Sequence, residues 1–182
     1  MLPEDNRYYF AFSIPERFSV LIIDGDPGAA FAGLALAPSP DQNLFWSVKR
    51  VTPAQEGDFN ATEYDLIILA GIPSLPDGTV AQIKSAVRRG KGLLLLYGGR
   101  TDPEYANRVW AQESGVRIES PAPPVVTREG YYSLKSVESN HPLFSIFRLG
   151  TEQLPDLKFY SLPAVKTAAA SRTLMRFSGD RP

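Results

Sequence analysis

Asp24-Gly25-Asp26 is the pair of carboxylates in this 182-residue sequence best placed to do chemistry. Two carboxylates one residue apart, at the end of an apolar run, could hold a metal ion or attack phosphorus, one acting on the substrate and the other handling protons. That chemistry also needs a further metal ligand, a lysine and a hydroxyl at later strand ends. No later strand end carries an acidic pair, and Pro27 follows directly. The competing reading is plain: aspartates in turn and cap positions, where their short side chains accept backbone N–H groups. His141 is the only histidine and sits in the turn Asn140-His141-Pro142-Leu143. A Ser-His-Asp device would need it to face a nucleophilic serine. Ser74, the serine nearest a strand end, reads instead as a helix cap. Cysteine is absent, which removes thiolate nucleophiles, thiolate metal sites and disulfides, and leaves the compartment open.

These residues hang on a regular frame. Ser19 to Ile23 is a continuous apolar run suited to a strand covered on both faces, ending in the turn cluster Asp24 to Gly28. A short helix over Ala29 to Ala37 follows, closed by Pro38. Leu44 to Val51 and Tyr64 to Ala70 read as the second and third strands, the latter stopped by Gly71-Ile72-Pro73. Ser74 and Asp77 have capping-box spacing, and Val80, Ile83 and Val87 recur at helical period until Gly90. Leu93 to Tyr97 is a fourth strand. Thr101 and Glu104 repeat the capping spacing ahead of a helix carrying Tyr105, Val109 and Trp110 and ended by Gly115. Val116 to Ile118 offers a fifth short strand. Strands alternating with helices predict an α/β fold, an open parallel sheet with helices on both faces. After Ser120 the pattern changes to Pro121, Pro123 and Pro124 and then to short β-like pieces, Tyr131 to Leu134, Leu157 to Tyr160 and Thr173 to Phe177, around the apolar knot Leu143 to Phe147. This is a C-terminal irregular and β segment.

In such a sheet, ligands sit beyond the carboxyl ends of the strands. The expected ligand rim is therefore Asp24, Gly25, Asp26, Gly71, Gly98, Gly99 and Arg100, with Ile72 and Pro73 beside it. Gly98-Gly99 before a helix would let backbone amides approach an anion, and Arg100 adds a positive charge. Gly90-Lys91-Gly92 lacks the spacing of a phosphate-binding loop. The net charge is −1, which gives no electrostatic footprint for nucleic acid. No apolar run approaches the ~20 residues of a membrane helix. Both ends read as cut: residues 1–17 as an entry strand and linker from a preceding domain, and Ser178 to Pro182 as a hairpin turn without its returning strand.

The runs Val20 to Gly25, Tyr64 to Leu75 and Gly90 to Leu94, with His141 to Phe144, Leu174 to Pro182 and the entry Leu2 to Arg7, resemble the class I glutamine amidotransferase-like domain of large bacterial membrane-anchored proteins, similar to the Bat-type aerotolerance proteins. The resemblance implies a flavodoxin-like fold over 18–182, in a domain truncated at its C-terminus. It implies a place on the periplasmic or envelope side of a membrane-anchored protein, with other domains of that protein or envelope proteins as partners. Active members place a cysteine after the strand that here is Leu93 to Tyr97, and use a His-x-Glu pair. This chain has Gly98-Gly99, and Pro142-Leu143 after its histidine. The expected function is a non-catalytic interaction or ligand-sensing module without a cofactor. The alternative is a metal-dependent hydrolase or phosphotransferase using Asp24 and Asp26, whose spacing also resembles the opening of haloacid-dehalogenase phosphotransferases.

Overall fold

A computed structural model describes residues 17–26, 30–37, 45–53, 59–120, 130–147 and 156–179. The entry strand, Pro121 to Pro124 and Asp180 to Pro182 lie outside the described residues. The chain divides into two compact units, one of residues 1–72 and 77–98, the other of residues 73–76 and 99–182.

The first unit is a four-stranded parallel sheet. Its strands are β1 (Phe18–Asp24), β2 (Trp46–Val51), β3 (Leu66–Ala70) and β4 (Gly92–Leu96), in the order β2-β1-β3-β4. Helices α1 (Ala30–Leu36) and α2 (Asp77–Arg88) make the crossovers. β1 runs to β2 in one direction and β3 to β4 in the other, so right-handed crossovers put α1 and α2 on opposite faces. Burial agrees. Val20, Leu21, Ile22 and Ile23 are at most 1% exposed, so successive side chains are covered on both faces of β1. Val20, Ile22 and Ile68 form one side of the core with Leu36, Trp46 and Val48 around them. Ile83 and Ala86 of α2 are fully buried.

At the amino ends of the strands, Asp65 ties three of them together. Its Oδ2 accepts from the Ser19 backbone N–H and hydroxyl, both at 3.0 Å. Its Oδ1 accepts from the Lys91 ammonium at 3.0 Å. The Asp65 backbone joins the same seam, its N–H donating to Ser19 O and its carbonyl accepting from Gly92 N–H, each at 2.8 Å.

The second unit holds α3 (Pro103–Ser114), a two-stranded antiparallel pair of β5 (Val116–Ser120) with β8 (Ala164–Thr167), and a three-stranded antiparallel sheet in the order β7-β6-β9, from Lys158–Phe159, Tyr132–Val137 and Met175–Phe177. Asn107 of α3 braces β5, its Nδ2 donating to Ile118 O and its Oδ1 accepting from Ile118 N–H, both at 2.8 Å. The Tyr105 hydroxyl accepts from Leu75 N–H at 2.8 Å and donates to Leu75 O at 3.3 Å, which satisfies it in a buried position.

The fold is thus α/β with a four-stranded parallel sheet, as expected, and three local readings change. The fifth strand does not join that sheet but pairs antiparallel with β8. Its burial alternates, Ile118 buried between exposed Arg117 and Glu119, which suits a sheet wetted on one face rather than a doubly covered parallel strand. The cap of α3 is Asp102, not Thr101. Pro103 keeps the preceding residue extended (φ −81°, ψ 115°), and the Asp102 carboxylate accepts from Glu104 N–H at 2.9 Å. α2 begins at Asp77, so Ser74 lies three residues outside it. β8 was not foreseen; Ala164 to Thr167 is short and follows Pro163. Among the described residues, no helix is long and apolar enough to cross a membrane.

Asp65 is held below its ordinary carboxyl value of 3.8, first by the Ser19 backbone N–H and then by the Lys91 ammonium. A depressed folded value adds stability that is complete above the unfolded value and is lost as pH falls through the folded one. Asp65→Asn should therefore lower stability at pH 7 by about 1–2 kcal/mol, discounted because the side chain is partly exposed. In urea titrations the gap between wild type and variant should begin to narrow near pH 3.8 and close as pH falls through the lower folded value. A gap that persists undiminished in acid would refute the assignment.

Candidate functional site

The carboxyl ends of β1, β3 and β4 meet as backbone against backbone. Gly25 N–H donates to Ala70 O at 2.9 Å, and Gly71 N–H to Leu96 O at 2.8 Å, which extends the ladder past the last strand residues. A Cβ on Gly25 would sit 2.6 Å from Gly71 O, inside any real contact. Gly71 has φ +59°, and a Cβ there would fall 2.5 Å from Asp26 Cβ. At Gly98 the nearest atom to an added Cβ would be Asp26 Oδ2 at 3.3 Å, with Gly71 Cα at 3.7 Å. The Asp26 side chain therefore lies over Gly71 and beside Gly98, in the space their missing side chains leave.

Asp24 turns the other way. Its Oδ2 takes the Arg50 Nη2 of β2 at 2.5 Å, and its Oδ1 accepts Asp26 N–H at 3.2 Å. The register explains the ion pair. Ile22 lies opposite Arg50 and Ile23 opposite Val51, so Arg50, next to last in β2, shares the face of Ile22 and Asp24 and is within side-chain reach of Asp24. The two carboxylates thus serve different neighbours, Asp24 toward β2 and Asp26 toward β3 and β4. Asp24 already carries its counter-charge. Among the described residues, no group of three or more histidine, cysteine, aspartate or glutamate side chains is placed to hold a metal ion.

Of the expected rim, the first unit brings Asp24, Gly25, Asp26, Gly71 and Gly98 together, with Ile72 buried beside them. Gly99 and Arg100 belong to the second unit, in the exposed turn before α3. Pro73 also falls in the second unit. His141 is in a turn as read, its Nδ1 accepting from Leu143 N–H at 3.3 Å and its ring edge-on to Phe144. The residue missed from sequence is Arg50. Aligning the ends of β1 and β2 in parallel would have placed it beside Asp24.

Comparison with protein-family models, with curated proteins and with solved structures gives no match for this chain.

Gly71→Ala should cost about 2–4 kcal/mol, from the left-handed backbone and the collision with Asp26 together. Gly99→Ala, where an added Cβ meets nothing within 4 Å, should stay within about 0.5 kcal/mol. Urea midpoints of the two variants measure the difference, and equal midpoints would show that the glycine seam is not a fixed feature.

Proposed function

We infer that this chain is a non-catalytic glutamine amidotransferase-like domain, flavodoxin-like in its parallel half, that serves as an interaction or ligand-sensing module of a membrane-anchored bacterial protein on the envelope side. The observation that supports it best is the closed strand-end seam. Where an amidotransferase needs a nucleophile on a sharp turn, this chain has Gly98 facing the Asp26 carboxylate. No cysteine is available anywhere in the sequence to supply the thiolate. The Asp24–Arg50 pair weighs against the hydrolase alternative, because a metal would have to displace a guanidinium from one of its two carboxylates. The interaction role draws on apolar side chains left in water: Phe31 at 74% and Leu34 at 56% on α1, and Leu94 at 43% on β4. Exposed apolar side chains of this size can be covered by a partner.

The purified protein should release no ammonia from glutamine. It should also release no nitrophenol from p-nitrophenyl phosphate with magnesium or manganese beyond the level of the double variant Asp24→Asn, Asp26→Asn. Phosphatase turnover that vanishes in the double variant would overturn the non-catalytic reading in favour of the alternative. Glutaminase turnover abolished by a strand-end substitution would overturn it as well.

A further inference from the structure

The three-stranded sheet of the second unit carries a register shift that sorts its side chains. Leu134 pairs with Phe177, but Ser136, two residues on, pairs with Arg176, the very next residue of β9. Lys135 is the extra residue of a β-bulge. Without it, strict alternation would set Ser136 on the face of Tyr132 and Leu134 and turn Val137 away from them. With it, Val137 joins Tyr132, Leu134 and the Phe159–Phe177 ring pair, whose centroids are 4.8 Å apart. Ser136 and Glu138 swing to the opposite face, with Arg176.

That face borders an open hollow of about 670 Å³, flanked on the other side by the connector from β8 to β9. The volume is in the range of small-molecule sites, about 300–1,000 Å³. The connector is pinned in place. Ala168 N–H donates to Gly115 O at 2.7 Å, Ser171 Oγ donates to the same carbonyl at 3.2 Å, and Glu138 N–H donates to Leu174 O at 2.9 Å. Arg172 forks onto Glu138, its Nε on Oε2 at 2.7 Å and its Nη2 on Oε1. The Arg172 hydrogen bonds hold the Glu138 carboxyl below its ordinary range, so the pair is charged and mutually neutralised. What remains in the hollow is a different set. Arg176, Ser136, Thr167 and Thr173 are among the residues that line it, and their side chains make no hydrogen bond or ion pair among the described residues.

We propose that this hollow is a binding site for a small oxyanion-bearing molecule, a carboxylate or a phosphate. The Arg176 guanidinium would hold the anion, and the Ser136, Thr167 and Thr173 hydroxyls its oxygens or neighbouring hydroxyl groups. A guanidinium matches either anion with two parallel N–H donors, and hydroxyls adapt their rotors to what lies between them. Glu138 sets the strength. It neutralises Arg172 and repels an incoming anion, so it keeps affinity modest and makes Arg172 a reserve donor. The site lies wholly within the second unit, apart from the strand-end seam, and does not rest on the amidotransferase-like reading.

The test is a titration of the ¹⁵N-labelled 182-residue chain with sodium malonate and, separately, with sodium phosphate, each against sodium chloride of equal ionic strength. The amide signals of Ser136, Thr173 and Arg176 should shift saturably with at least one of the two. The tighter probe identifies the anion class as carboxylate or phosphoryl. Arg176→Gln should weaken the binding about tenfold or more, and Thr173→Val should weaken it without altering the rest of the spectrum. Glu138→Gln should tighten it by freeing Arg172. Shifts that chloride reproduces, that fail to saturate with both probes, or that survive Arg176→Gln in a protein with an unchanged spectrum would overturn the proposal.

Discussion

β1 has no face toward water. With Val20 to Ile23 buried on both sides, the first unit has to supply a cover above and below the strand and a hydrogen-bonded neighbour at each edge. Everything else in that unit answers to this requirement. α1 and α2 are the covers and β2 and β3 the parallel neighbours, with α1 crossing from β1 to β2 and α2 from β3 to β4. The two ends of the strand bundle are then fastened by different chemistry. At the amino ends the Asp65 carboxylate, at the head of β3, collects donors from Ser19 of β1 and from Lys91 beside β4; at the carboxyl ends, residues without side chains let backbones close on one another.

That division bears on what the carboxyl ends can do. In open α/β sheets, loops that splay apart at this position create a crevice for ligands. Here Gly25 and Gly71 touch through backbone, and Asp26 fills the space beside Gly98. A catalytic carboxylate needs freedom to reach substrate or metal. Asp24 spends its charge on Arg50 instead, in a pair that links the ends of β1 and β2. The aspartates that invite a catalytic reading from their spacing thus each have a structural neighbour, Asp24 the Arg50 guanidinium and Asp26 the glycine seam at Gly71 and Gly98.

The parallel half of the fold was legible because its strands are unbroken apolar runs punctuated by glycine and proline: Ser19 to Ile23, Tyr64 to Ala70 and Leu93 to Tyr97 each fall within two residues of a strand. The antiparallel half was less so. Val116 to Ile118 looked like one more parallel strand because three apolar-rich residues carry no sign of their partner, and the partner, β8, lies about fifty residues on behind Pro163. Helix starts erred by one to three residues where two residues competed for the cap, as Thr101 and Asp102 do, and Pro103 decided between them. Of the candidate rim, Asp24, Gly25, Asp26, Gly71 and Gly98 lie at the strand ends of the first unit, whereas Gly99 and Arg100 fall in the second, and the contact that Asp24 makes depends on Arg50, a long-range pairing that only strand register reveals. The bulge at Lys135 is equally silent in sequence, since Tyr132 to Val137 reads as ordinary alternation until its pairing partner is known.

The Asn107 brace has a consequence beyond fixing α3 to β5. Both backbone groups of Ile118 go to the Asn107 amide, so they face away from β8 and would otherwise be a bare strand edge. A side-chain amide presents the same donor and acceptor as a peptide unit. Asn107 thus stands where one residue of an adjoining strand would stand, and a strand from another molecule finds those two groups already occupied. A single side chain in this way works against edge-to-edge aggregation of an otherwise two-stranded sheet.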